Sequence, residues 1–201
     1  MTVTRLRRLR RSELPVDTVE LARYLIGKTL VRNLAYGRLV GRIVETEAYV
    51  VGDAAGHAFI GQTPRNRSLF LQRGRAYVYF IYGSSYCLNV AAESRGIGAG
   101  VLLRALEPLL GIAQMERKRG TTTLHDLTRG PGRLTQAMQV DLQLDGVDLC
   151  SDRRLWLADA VRPRGSIGRS VRIGLSKEAH RRLRFYERGN PHVSGPKRLR
   201  S

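Results

Sequence analysis

Two carboxylates and a phenol occupy alternate positions in segment 41–49, which reads Gly-Arg-Ile-Val-Glu-Thr-Glu-Ala-Tyr. Side chains alternate between the faces of a strand, so Ile43, Glu45, Glu47 and Tyr49 are expected on one face. The opposite face would carry Val44, Thr46, Ala48 and Val50. Neighbouring carboxylates repel each other, which disfavours stability but suits a general base or a metal site. Alternation alone leaves a solvated strand face with arginine partners equally open.

A tyrosine-rich hairpin is the second group of residues that could do chemistry. Two β-rich runs, 76–82 and 87–93, flank a Gly-Ser-Ser turn, which is a hairpin signal. Four of the chain's eight tyrosines lie within this hairpin. Alternation places Tyr77 and Tyr79 on one face, and Tyr82 lies at the tip. A core strand explains Tyr77, whereas an exposed ring at a tight tip suits a wedge between stacked bases.

The charge of the chain points to a polyanionic partner. Lys and Arg total 35 against 17 Asp and Glu, which gives a formal net charge of +18. Nearly all the cations are arginines, whose forked guanidinium matches phosphate geometry, so nucleic acid is the favoured partner. A basic protein without such a partner is the alternative. In the turn 63–66, Thr63, Arg65 and Asn66 suit contacts to the DNA backbone, and an ordinary exposed loop is the alternative for the turn read alone.

Cysteine and histidine usage disfavours several classes of protein. The two cysteines, Cys87 and Cys150, form no Cys-x-x-Cys pair, which argues against a disulfide framework, a zinc ribbon or an iron–sulfur cluster. The four histidines show no metal-ligand spacing. No apolar run approaches the roughly 20 residues of a membrane helix, and the basic start lacks a secretory apolar segment. We therefore expect a bacterial cytoplasmic protein, associated with the nucleoid, without a metal or other cofactor.

The periodicity of the chain predicts an α+β fold in a single domain over 1–201. A curved, mainly antiparallel sheet would be flanked by helices and would carry a protruding β-hairpin. The predicted helices cover 15–26, 109–119 and 132–139, and the predicted strands are 30–33, 37–49, 76–82, 87–93 and 101–105. Trp156 and Ile173 are assigned to late strands. Residues 1–11 read as a basic arm, solvated or touching DNA, and 195–201 as a loose tail.

Several long motifs resemble one enzyme family in order and spacing. They are the segment 41–49, Asp53-x-Ala-x-His57, the turn 63–66, the run 77–83, Asn89, and the runs 101–108, 171–174 and 183–186. Together they resemble the alkyladenine (3-methyladenine) DNA glycosylase family, of the methylpurine glycosylase type, over about 21–194. The resemblance implies a monomeric repair enzyme that acts on double-stranded DNA containing alkylated or deaminated purines.

The resemblance also implies roles for individual residues in catalysis. Glu47 would be the general base that activates a water against the sugar C1′ carbon, with Arg104 and the main-chain carbonyl of Ile173 helping to hold that water. An activated water, in place of an enzyme amine, would make the enzyme monofunctional and leave an intact abasic site. The expected substrates are 3-methyladenine, 7-methylguanine and possible deaminated bases such as hypoxanthine.

Further residues would form the pocket for a purine flipped out of the duplex. By the same resemblance, Tyr49, His57 and Tyr79 would form its walls. The bulk of Asn89 would disfavour the amino group of normal guanine. Tyr82 would enter the minor groove and fill the gap that the flipped nucleotide leaves.

Three other functions compete with this interpretation. Segment 127–138 faintly resembles a helix-hairpin-helix DNA clamp, with Asp148 or Asp152 downstream as a catalytic acid. A metal-dependent nuclease would bind Mg²⁺ through Glu45, Glu47 and Asp53. A non-catalytic nucleic-acid-binding protein would explain the charge and the tyrosines but not carboxylates among them. Glu47→Gln tests the first alternative, a chelator the second, and base release the third.

Overall fold

The strands of the protein all pair antiparallel in one curled sheet, as the sequence predicts. The computed structural model describes residues 6–81 and 83–199. The strands are β1 Thr29–Leu34, β2 Gly37–Tyr49, β3 Ala76–Ile81, β4 Ser85–Ala91, β5 Gly100–Leu110, β6 Leu155–Ala158, β7 Ile167–Ser170 and β8 Arg184–Glu187. The helices are α1 Thr18–Leu25, α2 Ile112–Arg119 and α3 Pro131–Met138. The strand order is β3-β4-β5-β2-β1-β6, with β8 paired to β2 and β7 to β8.

The long strand β2 is central because it pairs along both edges. It pairs with β5 over most of its length, while its first half pairs with β1 and residues 45–47 pair with β8. Its register against β5 shifts between Ile43 and Thr46. Ile43 therefore packs in the main core with Ala48, whereas Val44 packs with Ala105, Tyr186 and Val193. The predicted strict alternation is wrong at Ile43 and Val44, because a bulge interrupts the two-residue repeat.

Helix α1 packs against β2 and begins at Thr18, three residues after the predicted start at residue 15. The carboxylate of Asp17 accepts a hydrogen bond of 2.8 Å from the Glu20 amide, which caps the first turn. The Thr46 hydroxyl donates to the Ala22 carbonyl at 3.0 Å, which ties the helix to the strand that carries the two carboxylates. No helix within 6–81 and 83–199 has the length and apolar character needed to cross a bilayer.

The basic residues at the start of the described chain lie along the outer edge of the sheet. The Leu9 amide donates to the Leu157 carbonyl of β6 at 3.0 Å, and Arg11 forms an ion pair with Asp148. Residues 6–11 thus cover the edge strand β6, which is at the opposite end of the sheet from β3. Residues 1–5 of the predicted arm lie outside the described part of the chain.

Candidate active site

Aromatic rings line a cavity of about 400 Å³ at the β3 end of the sheet. Four of them come from the end of β2, the loop that follows it, and strand β3, namely Tyr49, His57, Tyr77 and Tyr79. The His57 and Tyr79 rings are 4.5 Å apart between centroids at 64°, and the Tyr77 and Tyr79 centroids are 5.3 Å apart. We call this space the main cavity. Its size and its aromatic wall suit one flat heterocycle.

Glu47 lies directly behind the wall of the main cavity and has no exposed surface. One carboxylate oxygen accepts a hydrogen bond of 2.8 Å from the Ile173 amide. The other accepts from the Tyr49 hydroxyl at 3.1 Å and from the Arg104 guanidinium at 3.2 Å. All three donors line the main cavity. The carboxylate is therefore fixed in orientation at the cavity wall and carries a negative charge when it loses its proton.

Glu45 is also buried, but its contacts are structural. Its carboxylate accepts hydrogen bonds from Arg184 at 2.7 Å, from Arg104 at 3.0 Å, and from the amide and hydroxyl of Ser194. Arg184 also donates to the Leu199 carbonyl at 2.6 Å, so part of the predicted loose tail is tied to the sheet. Glu45 thus joins β2, β5, β8 and the C-terminal segment.

The two glutamates differ in acidity because their partners differ. Burial raises the pKa of Glu47 above its ordinary value, and Arg104 and the other donors only partly oppose this. Burial also acts against ionisation of Glu45, but Arg104 and Arg184 outweigh it, and the pKa of Glu45 lies below its ordinary value. Opposite shifts in neighbouring carboxyls are typical of sites in which one is the acid–base group and the other is a fixed charge.

His57 is held rigidly in the cavity wall. Its Nδ1 is hydrogen bonded to the Tyr77 hydroxyl at 2.8 Å. Its carbonyl accepts a hydrogen bond of 2.8 Å from the Asn66 side-chain amide, which also donates to the Gly61 carbonyl. Burial, aided by Arg65, lowers the pKa of His57, so the ring is neutral at physiological pH. A neutral ring can accept a cationic ligand beside it without repulsion.

Arg172 and Asp53 form a buried ion pair at the wall of the main cavity, and Asp53 lines the cavity. The buried Arg172 guanidinium donates to both carboxylate oxygens of Asp53, at 2.5 and 3.1 Å, and to the Ala48 carbonyl at 3.0 Å. The same guanidinium lies 4.6 Å from the Tyr49 ring centroid. The run 171–174 carries part of the family resemblance, but no pattern in it singles out Arg172. No local pattern could have paired it with a carboxylate more than a hundred residues away.

The remaining predicted pocket residues also converge on the main cavity. Asn89 lines it, and its side-chain amide donates to the Tyr77 carbonyl at 3.3 Å. Ile173 lies in a bend after β7, outside any strand, so its assignment to a late strand is wrong. Cys87 lines the cavity as well and was not predicted to do so. Tyr82, the predicted wedge, lies outside the described residues.

The residues predicted to contact the DNA backbone lie in one turn but differ in exposure. Asn66 is buried, and its side-chain oxygen accepts from the Thr63 amide at 2.6 Å. Arg65 is exposed and donates to the Phe80 carbonyl at 3.2 Å. Thr63 and Asn66 therefore shape the loop that carries His57. Contact of Thr63, Arg65 and Asn66 with DNA stays a prediction.

The carboxylates that the competing interpretations would use each form an ion pair with an arginine of the described chain. Glu45 and Asp53, the other nuclease ligands, are each bound to a guanidinium. Asp148 is paired with Arg11, and Asp152 with Arg154. In the part of the chain that the structure describes, no three His, Cys, Asp or Glu side chains are grouped to hold a metal ion.

Comparison with known proteins adds an independent result. The family model for methylpurine-DNA glycosylase matches residues 12–191. A protein of Mesorhizobium japonicum is 64% identical over 189 residues, covering 94% of this chain and 91% of that protein. A protein of Paraburkholderia phytofirmans is 54% identical over 191 residues, covering 95% of this chain and 90% of that protein. Both carry the name "Putative 3-methyladenine DNA glycosylase".

Proposed function

The chain belongs to the methylpurine-DNA glycosylase family, and from this premise we propose that it is a monofunctional enzyme that removes alkylated purines from double-stranded DNA. The predicted family and the general activity, a DNA glycosylase of alkylation repair, are confirmed by the two relatives. The substrates, the everted base and the catalytic water belong to the proposal. The observation that carries it is a buried carboxylate, Glu47, directly behind a cavity walled by aromatic rings.

The main cavity suits an electron-poor purine. Alkylation at N3 or N7 makes the base cationic, and stacking of a cation on aromatic faces is worth roughly 0.5–2 kcal/mol. The neutral His57 ring does not oppose that charge. Burial raises the pKa of Tyr77 to about 12, so its phenol stays protonated and uncharged. A base inside a duplex cannot reach such a cavity, so it must be everted at a cost of a few kcal/mol.

Hydrolysis then needs a base and a water. Glu47 takes a proton from the water, the water oxygen forms a bond to C1′, and the C1′–N bond breaks with its electron pair going to the purine. A cationic purine leaves as a neutral molecule, which lowers the barrier without a metal. Arg104 holds the Glu47 carboxylate in orientation from the cavity side. The ionised carboxylate also stabilises the positive charge that develops on the sugar.

An intact abasic site is the expected product. A second, strand-cleaving step would start from an amine that forms a Schiff base with the sugar. Lysine is absent from the described residues that line the main cavity. We propose that the enzyme works as a monomer, since the main cavity of one chain serves one lesion. Its proposed location is the nucleoid DNA of the bacterial cytoplasm.

Base release from defined duplexes tests the proposal. Synthetic duplexes would carry 3-methyladenine, 7-methylguanine, hypoxanthine or no lesion, each with and without a chelator. We expect release of the cationic bases, unaffected by the chelator, with strands that break only after alkali. Strand scission that the chelator abolishes would instead support the nuclease. Binding without release from any duplex would support a non-catalytic protein.

A further inference from the structure

We propose that a second cavity, of about 500 Å³, binds one backbone phosphate of the DNA strand through Arg67 and Arg95. This proposal rests on the proposed function, since it names where the same substrate is held outside the main cavity. The second cavity lies between the short 3-10 turn Arg67–Phe70, the loop 95–96 and residues 145–146. It shares no lining residue with the main cavity.

Neither arginine of the second cavity forms an ion pair within the described chain. No ion pair or hydrogen bond joins the side chain of Arg67 or Arg95 to another described residue. Asp145 also lines the cavity, but its oxygens accept hydrogen bonds from the Ser68 hydroxyl at 2.7 Å and the Val78 amide at 2.9 Å. Both guanidiniums line the same cavity, and their two positive charges outnumber the single Asp145 carboxylate, so the cavity favours an anion.

The backbone positions of the two arginines are fixed relative to each other. The Gly96 amide donates to the Phe70 carbonyl at 2.8 Å, which ties the loop of Arg95 to the turn of Arg67. The Phe70 ring packs against Gly98, where a side chain would collide with it. Because the loop and the turn are tied together, their backbones lose less conformational freedom on anion binding than two independent segments would.

The position of the second cavity identifies the anion. Leu69 lines the main cavity, while its neighbours Arg67, Ser68 and Phe70 line the second cavity. An anion in the second cavity would therefore be separated from the base in the main cavity by the single short turn Arg67–Phe70. In a DNA complex, a phosphate diester near the everted nucleotide meets this requirement, and guanidinium forks bind its oxygens in pairs. This contact would hold the strand in register.

The test compares two variants that remove the same charge. Arg67→Gln/Arg95→Gln removes the proposed site. Arg23→Gln/Arg153→Gln is the matched control, since both of those arginines are exposed and line neither cavity. Binding to an undamaged duplex is measured across a range of salt concentrations. Loss of one phosphate contact should weaken binding about tenfold and make the slope of log K against log salt shallower by about 0.9.

A chemical change in the DNA locates the contact. One phosphate at a time is replaced by an uncharged methylphosphonate in a lesion duplex. We expect one methylphosphonate near the lesion to weaken wild-type binding about tenfold and to leave the binding of Arg67→Gln/Arg95→Gln unchanged. The proposal would be overturned if the site variant and the control lost equal affinity, or if no single methylphosphonate weakened the wild type selectively. At subsaturating enzyme the site variant should excise more slowly than the control variant, which keeps the wild-type rate. Absence of excision by the wild type would refute the proposed function alone.

Discussion

Replacing Glu47 by Gln tests the chemistry with little change of shape. The amide oxygen can still accept a hydrogen bond from Ile173 or Tyr49, but the side chain can no longer take a proton from water. General-base catalysis contributes roughly 10²–10⁴-fold, and the lost negative charge beside a cationic sugar adds to this. We expect base excision to fall by at least about 10²-fold. Binding to lesion DNA should change by less than about tenfold, because the cavity walls are untouched.

The same variant should differ from the wild type in the pH dependence of its stability. A glutamate whose pKa is raised by folding stabilises the protein at low pH, and that stability is lost as pH rises through the folded pKa. Gln carries no charge at any pH, so it does not lose stability in this way. The melting temperature of the variant, relative to wild type, should therefore rise between about pH 4 and pH 8. Calorimetry over this range measures it.

Single-turnover excision of 7-methylguanine is the assay for the catalytic step, because it separates chemistry from product release. Its wild-type rate should rise with pH through a pKa above the ordinary value of Glu, and the variant should lack that limb. Glu45→Gln is the contrasting variant, because it leaves Arg184 without a buried carboxylate and Arg104 with Glu47 alone. The free energy of unfolding of Glu45→Gln should be lower by roughly 3–5 kcal/mol, and its melting temperature lower by roughly 10 °C. Excision by Glu47→Gln within tenfold of wild type, with normal folding, would refute the assignment of the base.

Three further predictions concern other parts of the molecule. Burial acts against ionisation of Glu187, but hydrogen bonds from Arg42 and its neighbours outweigh it and lower the pKa of Glu187 to about 2. The ionised group therefore stabilises the fold above the unfolded pKa, and this stabilisation is lost as pH falls towards about 2. Glu187→Gln should flatten acid denaturation in that range, and an unchanged acid limb would contradict the pairing. Asn89→Ala should raise release of normal guanine by roughly 10–200-fold if its side chain excludes the amino group, measured on undamaged duplexes. Tyr82→Ser should weaken binding to lesion DNA more than to undamaged DNA, and equal weakening would mean that the tip is not a wedge.

Much of the site could be inferred from the sequence because its signals are local or carried by long motifs. The alternation in 76–81 brings Tyr77 and Tyr79 to one wall, and the structure shows both there. The motifs around Glu47, His57 and Asn89 indicated the family, which the comparisons confirm. Helix α1 and the hairpin of β3 and β4 were also predicted within a few residues.

Strand alternation makes Glu45 and Glu47 equivalent members of one face, and the family resemblance singles out Glu47 as the candidate base. The tertiary structure decided how the two carboxyls differ in partners and acidity. Only the fold gives Glu45 a second guanidinium, from Arg184, and leaves Glu47 with Arg104 and the cavity-wall donors. Burial opposes ionisation of both, so the number and position of cations brought in from distant strands set the difference between them.

The same reason applies to the features that sequence reasoning missed or misplaced. The bulge in β2, the Asp53–Arg172 pair and the docking of residues 6–11 on β6 depend on contacts between segments far apart in the chain. Strand periodicity and composition describe only neighbours along the chain. The sequence by itself therefore determined the family, the elements and the types of residue at the site, and the packing of the sheet determined their charge states and partners.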